Sequence, residues 1–95
     1  MRVIEEKMLA AIASGKNFKL GNTEVKQVAT GFNVLLHGNI IFIQHNGVCH
    51  FSLAGWNTVT TKSRLRALGV DVRTRNYTTF YNGVAIDPYY WYVVK

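Results

Sequence analysis

Pairs of small turn-forming residues recur along this chain and divide it into short segments. The clearest cases are Gly21-Asn22, His37-Gly38-Asn39, Asn46-Gly47 and Asn82-Gly83. Glycine and asparagine adopt the positive φ angles that tight hairpin loops require, and Asn-Gly is the strongest short-range hairpin signal. Because a hairpin joins two strands in antiparallel order, the sequence predicts a sheet built mainly from strands that are neighbours along the chain.

Between these turns, apolar and polar residues alternate with the period of two that is typical of half-buried strands. This alternation predicts five strands in the first part of the chain: Asn17–Leu20, Thr23–Val28, Phe32–Leu36, Ile40–Gln44 and Val48–Leu53. It predicts shorter extended segments near the end: Val70–Arg75, Tyr77–Tyr81, Val84–Ile86 and the tail Tyr89–Val94.

Two other segments have helical spacing. An N-terminal helix that ends at Ser14-Gly15 is predicted from its apolar residues, which are Val3 or Ile4, Met8, Leu9 and Ile12. A second short helix is predicted at about residues 60–68, with Gly69 at its end and three candidate N-cap residues, Thr58, Thr60 and Thr61. The sequence therefore predicts an α+β fold, with one domain over residues 1–95 and an antiparallel meander sheet.

The composition indicates a globular protein of a reducing compartment. The chain has 95 residues and is 48% hydrophobic, which is too apolar for a disordered tail and too short for two cores. Cys49 is the only cysteine, whereas small secreted domains usually need disulfides. No apolar run approaches the roughly 20 residues of a membrane span. We therefore expect a soluble, cytoplasmic protein without a membrane partner.

Positive charge is concentrated after the middle of the chain. Eleven Lys and Arg residues oppose five Asp and Glu residues, for a net charge of +6, which favours nucleic acid or acidic protein partners. Between residues 62 and 75, five basic residues accompany a single acid, Asp71, for which Arg73 or Arg64 would be the ion-pair partner. We expect an exposed phosphate-binding surface here, made by Lys62, Ser63, Arg64, Arg66, Arg73 and Arg75. The alternative is a solvated face without a ligand.

Aromatic residues lie close to these basic residues in the sequence. Bases can stack on exposed rings beside arginines, and the stacking candidates are Trp56, Tyr77 and Tyr81. The tail is a second aromatic cluster and the candidate interface, made by Tyr89, Tyr90, Trp91 and Tyr92. Packing against the N-terminal helix would cover this tail, and the alternatives are a homodimer or a host protein docked there.

No catalytic or metal site is predicted. His45, Cys49 and His50 are close in sequence, but strand alternation would point His50 away from Cys49, and a fourth ligand is missing. The five carboxylates lie in separate elements or diverge on one helix, and no glycine-rich phosphate loop occurs. We therefore expect neither enzymatic activity nor a cofactor.

Part of the chain resembles a known group of proteins. The segment AGWNTVTTKSRLRALGVDVRTRNYTTFYNG, about a third of the chain, is similar to small uncharacterised accessory proteins of tailed bacteriophages. The pattern is T-x-T-T-x-S-R-L followed by an aromatic-Asn-Gly turn, and it matches Trp56, Thr58, Thr60, Thr61, Ser63, Arg64, Leu65, Leu68 and Tyr81-Asn82-Gly83. The resemblance implies a viral, intracellular protein and carries over no catalytic residue.

Together these features favour a small basic accessory protein that binds phosphate-rich ligands, above all nucleic acid, with little sequence specificity. The alternative function is an inhibitor or modulator that docks on an acidic surface of a host protein through the arginines and the aromatic tail. A third possibility replaces nucleic acid by a small nucleotide signal that is bound and sequestered.

Overall fold

The computed structural model describes residues 1–95 and contains two helices and nine strands. The helices are α1 (Val3–Ala13) and α2 (Val59–Ala67). The first five strands are β1 (Phe18–Leu20), β2 (Thr23–Val28), β3 (Gly31–Leu36), β4 (Asn39–His45) and β5 (Val48–Phe51). The last four are β6 (Val72–Arg75), β7 (Thr78–Tyr81), β8 (Val84–Ala85) and β9 (Tyr92–Val93). The predicted α+β class and the order of the elements are confirmed.

The strands form two separate antiparallel sheets. The large sheet has the order β1-β2-β3-β4-β5-β9, so the predicted meander is present with one strand added at its edge. The small sheet has the order β6-β7-β8 and follows α2 along the chain. Each sheet therefore has two free edges, and the small sheet exposes β6 and β8.

Four hairpin loops share one backbone geometry. Each has two residues with positive φ, namely His37-Gly38, Asn46-Gly47, Asn76-Tyr77 and Asn82-Gly83. The second position is glycine in three of them, because a residue without Cβ adopts a positive φ at little cost. The exception is Tyr77, with φ +65 between β6 and β7. A tyrosine in this conformation is strained, and a glycine would not be.

One apolar cluster joins the helices and both sheets. It contains Met8 of α1, Leu65 of α2, residues of the large sheet such as Phe51, and Val72 and Tyr81 of the small sheet. The Phe51 and Tyr81 rings meet edge to face with their centroids 4.9 Å apart. This contact joins the large sheet to the small sheet and fixes the face that the small sheet turns to solvent.

The limits of α2 follow from its end residues. Thr58 is the N-cap, and its Oγ1 accepts a hydrogen bond from the Thr61 backbone N–H at 3.2 Å. Gly69 has a φ of +90 just after the last turn, a conformation that terminates many helices. Both features agree with the sequence prediction. Neither helix is long and apolar enough to cross a membrane.

The aromatic tail occupies a different place from the one predicted. Instead of packing on α1, it adds β9 to the free edge of β5, with Phe51 paired to Tyr92. Gly55 allows the preceding turn to approach, because a Cβ on this residue would lie 2.7 Å from the Tyr89 ring. The Gly55 N–H also donates to the Pro88 carbonyl at 2.8 Å. The backbone of β5 offered an unpaired edge, which the sequence pattern alone did not reveal.

Candidate nucleic-acid interface

The central arginine of α2 lies in the protein interior. Arg64 is 3% exposed, and its Nη1 donates to Glu5 Oε2 at 2.6 Å. Its Nε donates to Thr23 Oγ1 at 2.9 Å, and Ser63 Oγ donates to the same Glu5 oxygen at 2.6 Å. The expectation that Arg64 belongs to an exposed basic surface is therefore wrong, and the Ser63 hydroxyl is also engaged. These contacts tie α2 to α1 and to the β1–β2 turn.

The Glu5 carboxylate is the charge that balances Arg64. Burial raises the pKa of Glu5, but hydrogen bonds from Ser63, Arg64 and the Arg2 backbone, together with the positive charge of Arg64, outweigh it. The net effect is a pKa below the ordinary value of 4.5. Glu5 is therefore ionised at neutral pH, and the buried guanidinium is neutralised by a partner more than half the chain length away in sequence.

Lys62 is also withdrawn from the surface. It is 6% exposed, and its Nζ donates to Thr74 Oγ1 on β6. Burial lowers the pKa of the Lys62 ammonium, and the neighbouring positive charge of Arg66 lowers it further. Helical periodicity placed Lys62 beside the buried face of α2, and the packing of β6 on α2 covers it. The prediction that Lys62 is exposed is wrong.

Three of the five predicted basic residues remain on the surface, on or next to the strand β6. Arg73 and Arg75 project from one face of the small sheet, since Val72 between α2 and Arg73 points to the core. Arg66 reaches over from α2, and its Nη1 donates to the Val72 carbonyl at 3.2 Å. Arg73 also forms an ion pair with Asp71 at 2.7 Å, in which both side chains are exposed. Such a pair is weak and easily exchanged for a ligand phosphate.

The outer face of the small sheet forms a shallow basic groove. Register pairs Arg73 with Phe80 and Arg75 with Thr78, so these side chains share one face. A cleft of about 420 Å³ lies here, lined by Asp71, Arg73, Thr74, Arg75, Phe80, Asn82 and Gly83. We call this surface the arginine groove. Phe80 is half-buried and lines this cleft together with the arginines and two residues of the β7–β8 loop, Asn82 and Gly83.

Tyr77 lies in the loop of the β6–β7 hairpin, whose strands carry most of the arginine groove. Its side chain is 96% exposed, at the tip of the β6–β7 hairpin next to Arg75. The Asn57 side chain holds this hairpin by donating to the Tyr77 carbonyl at 3.3 Å and by accepting from the Thr79 hydroxyl. The strained loop therefore presents a bare aromatic ring to solvent, two residues after Arg75 in the chain.

The other stacking candidates lie elsewhere. Tyr81 is 9% exposed, and its hydroxyl accepts a hydrogen bond from the Lys95 N–H at 2.8 Å, so it belongs to the core and its prediction as an exposed ring is wrong. Trp56 is exposed but borders a separate cleft of about 480 Å³, between the β3–β4 loop and the start of α2. Tyr77 is the predicted stacking residue that is exposed and belongs to the same hairpin as Arg73 and Arg75.

Sequence reasoning missed Phe80 and Asn82 as groove residues. Phe80 is two residues before Asn82-Gly83 and pairs with Arg73, so the hairpin register carried the signal that places it on the arginine face.

The tail residues gather at β9, where Tyr89, Tyr90 and Trp91 are exposed and Tyr92 is half-buried on Phe51 with ring centroids 5.7 Å apart. The side chains of His45, Cys49 and His50 form no cluster of three metal-ligating groups.

Comparison with known proteins places the whole chain in one viral family. No curated protein and no solved structure matches it. A family model described as "Kyanoviridae Gp96 protein" matches residues 1–95, which confirms the expected bacteriophage origin without singling out the T-x-T-T-x-S-R-L segment. With its full length matched, the chain belongs to the Kyanoviridae Gp96 protein family.

Proposed function

We propose that this phage protein binds single-stranded nucleic acid in the arginine groove, without strong sequence specificity and without catalysis, in the cytoplasm of the host cell. The observation that carries the proposal is the exposed Tyr77 ring at the tip of the hairpin whose strands carry Arg73, Arg75 and Phe80. Single-strand binding proteins combine a positive groove that follows the backbone with aromatic rings on which successive bases stack.

The dimensions of the small sheet favour a short stretch of single strand. Three strands about 4.8 Å apart give a face roughly 10 Å wide, and four residues at about 3.3 Å each give a length of roughly 13 Å. Arg66, Arg73 and Arg75 would contact phosphates, while Tyr77 and the accessible part of Phe80 would stack on bases. Helix α2 presents no basic face for insertion into a major groove, because Lys62 and Arg64 are buried.

A strained residue supports a role for Tyr77 beyond folding. Glycine occupies the equivalent position in the three other hairpins of this geometry, and Tyr77 is the exception. A fully exposed tyrosine ring contributes little to the core, so the strain is not offset by packing. Strained conformations of this kind concentrate at functional sites.

Fluorescence anisotropy tests the proposal with labelled oligothymidine, the corresponding duplex and single-stranded RNA, each at several salt concentrations. Three arginine–phosphate contacts predict a slope of log K against log salt of about −2 for a single strand. We expect micromolar affinity for single strands and weaker binding of the duplex. Equal or tighter binding of the duplex would contradict the stacking role of Tyr77.

A charge-matched pair of variants locates the site. Arg73→Glu with Arg75→Glu should abolish binding, because it replaces two phosphate contacts by repulsive charges. Lys7→Glu with Lys16→Glu changes the net charge equally on exposed residues outside the groove. Equal losses in the two variants would mean that only overall charge matters, and the proposed site would be wrong.

A second function rests on the exposed tail. Tyr89 is 75% exposed, Tyr90 is 64% exposed and Trp91 is 45% exposed, and rings of this kind are preferred anchors of protein interfaces. Under this alternative, the protein modulates an acidic host protein, with the arginines assisting approach. A pull-down in which a Tyr89→Ser, Tyr90→Ser variant loses the partner, but the Arg73→Glu, Arg75→Glu variant does not, would favour it.

A further inference from the structure

An apolar groove lies between the free edges of the two sheets. It has a volume of about 410 Å³ and is bordered on one side by β8 and on the other by β9, with Tyr81, Asn82, Val84, Ile86, Trp91, Tyr92, Val93 and Lys95 as its lining. Six of these eight residues are hydrophobic, and Lys95 is the one that carries a charge. The arginine groove is lined by other residues, and Asn82 is the one residue that the two grooves share.

The edge of β9 that faces away from β5 lies along this groove, and its outward backbone groups are bonded at Lys95, whose N–H donates to the Tyr81 hydroxyl at 2.8 Å, but not at Val93. The Val94 N–H donates to the Cys49 carbonyl at 2.8 Å, so Val94 faces β5. Tyr92 is opposite Phe51 in the register and is two residues away from Val94, so its backbone N–H and C=O groups also point to β5. Backbone groups alternate along an antiparallel strand, so Trp91 and Val93 turn their N–H and C=O groups outward. An extended segment can bond to them and extend the large sheet.

We propose that the β9 edge binds an extended segment of a partner protein by strand addition, and that this segment carries an acidic residue among apolar ones. Main-chain hydrogen bonds to Trp91 and Val93 would hold the segment. Its apolar side chains would enter the groove between Val84 and Trp91, and its carboxylate would pair with Lys95. This is the mode in which peptides add to exposed sheet edges, where the backbone supplies affinity and pockets supply specificity.

Charge favours a partner over a second copy of the chain. The net charge of +6 opposes self-association, and the occupant needs a carboxylate to complement Lys95. The tail contains a single acidic residue, Asp87, whose side chain already accepts a hydrogen bond from the Tyr89 N–H at 2.8 Å. A second β9 would therefore bring no free acidic side chain to the groove.

The test uses two synthetic peptides and the full chain. One peptide alternates valine with threonine and contains two glutamates, and the other is identical except that lysines replace the glutamates. In NMR titrations, the acidic peptide should shift the amide resonances of Val93 and Trp91. It should also slow hydrogen exchange of the Val93 amide. The lysine peptide should bind at least ten-fold more weakly.

Three variants separate this edge from other basic surfaces. Val93→Pro removes an outward N–H and no hydrogen bond to β5, and proline is tolerated on edge strands. This variant should bind the acidic peptide at least ten-fold more weakly. Lys95 has an exposed side chain, so Lys95→Glu should leave the fold intact. This variant should bind the lysine peptide more tightly than the acidic peptide. The Arg73→Glu, Arg75→Glu variant should bind as the wild type does.

Specific results would overturn the proposal. Equal binding of both peptides, or loss of binding in the Arg73→Glu, Arg75→Glu variant, would assign the interaction to general charge. Shifts of Val93 that depend on protein concentration without any peptide would assign the edge to a second copy of the chain. Unchanged Val93 exchange at saturating acidic peptide would exclude strand addition.

Discussion

Removing one member of the buried pair of Glu5 and Arg64 should destabilise the fold strongly. Removing both members together should have a much smaller effect. Both side chains are almost fully buried, at 3% and 4% exposure, and are 2.6 Å apart. Arg64→Met leaves the Glu5 carboxylate in the interior with the Ser63 hydroxyl as its remaining side-chain partner. Thr23 loses less, because its hydroxyl also donates to Asn22 at 2.9 Å.

The magnitude follows from the burial. Removing one member of a buried ion pair costs about 3–5 kcal/mol, because the remaining charge is uncompensated. For a chain of this length, each kcal/mol lowers the melting temperature by about 4–8 °C, so Arg64→Met should lower it by more than about 12 °C. The double variant Glu5→Leu, Arg64→Met removes both charges and should lie within about 2 kcal/mol of the wild type.

Urea unfolding and calorimetry of the two single variants and the double variant complete a thermodynamic cycle. Arg73→Met is the matched control, since its pair with Asp71 has side chains that are 74% and 62% exposed and should change stability by less than about 1 kcal/mol. If Arg64→Met cost no more than Arg73→Met, the argument from burial would be refuted. A double variant less stable than both single variants would refute it as well.

Three further predictions concern pH and two backbone positions. The folded-state pKa of Glu5 lies below 4.5, so the contribution of its ionised carboxylate to stability is complete above the unfolded-state pKa and is lost as the pH falls through the folded-state pKa. Lowering the pH from about 5 to about 3 should therefore reduce the free energy of unfolding, measured with urea, more in the wild type than in the charge-free double variant. Tyr77→Gly should raise the free energy of unfolding by about 0.5–1 kcal/mol by relieving φ strain, while weakening oligothymidine binding; a less stable variant would contradict the strain. Gly31→Ala should lower stability by more than about 2 kcal/mol, since a Cβ there would overlap the Gln44 carbonyl, and an unchanged urea midpoint would show that the β3–β4 pair yields easily.

The local features of the fold could be predicted from the sequence. Asn46-Gly47 and Asn82-Gly83 form the expected hairpin loops, Gly69 ends α2 as expected, and Thr58 is the one of the three N-cap candidates that begins it. Each of these signals depends on the conformational preferences of one or two residues, so no distant contact was needed to interpret them. The hairpin at Asn76-Tyr77 was missed because tyrosine does not ordinarily adopt a positive φ.

The misplaced residues depend on contacts between distant parts of the chain. Nothing near Arg64 in the sequence indicates burial, because its neutralising carboxylate is Glu5 and the two residues are 59 positions apart. Lys62 is covered by Thr74 of β6, and Tyr81 is drawn into the core by Phe51. Helical and strand periodicity describe which residues share a face, but not which second element covers that face. The exposed part of the candidate site is accordingly smaller than the predicted one.

The meander topology also determines how the chain reaches its folded state. Every strand pairing joins consecutive strands except that of β5 with β9, so most hairpins close over short loops and can form early. The Arg64–Glu5 bond joins residues 59 positions apart, so we expect this bond and the addition of β9 to form after the short hairpins. Interactions formed that late govern the unfolding rate and leave the folding rate nearly unchanged. We therefore expect loss of the buried ion pair to speed unfolding more than it slows folding, and so to shorten the time that the protein stays folded.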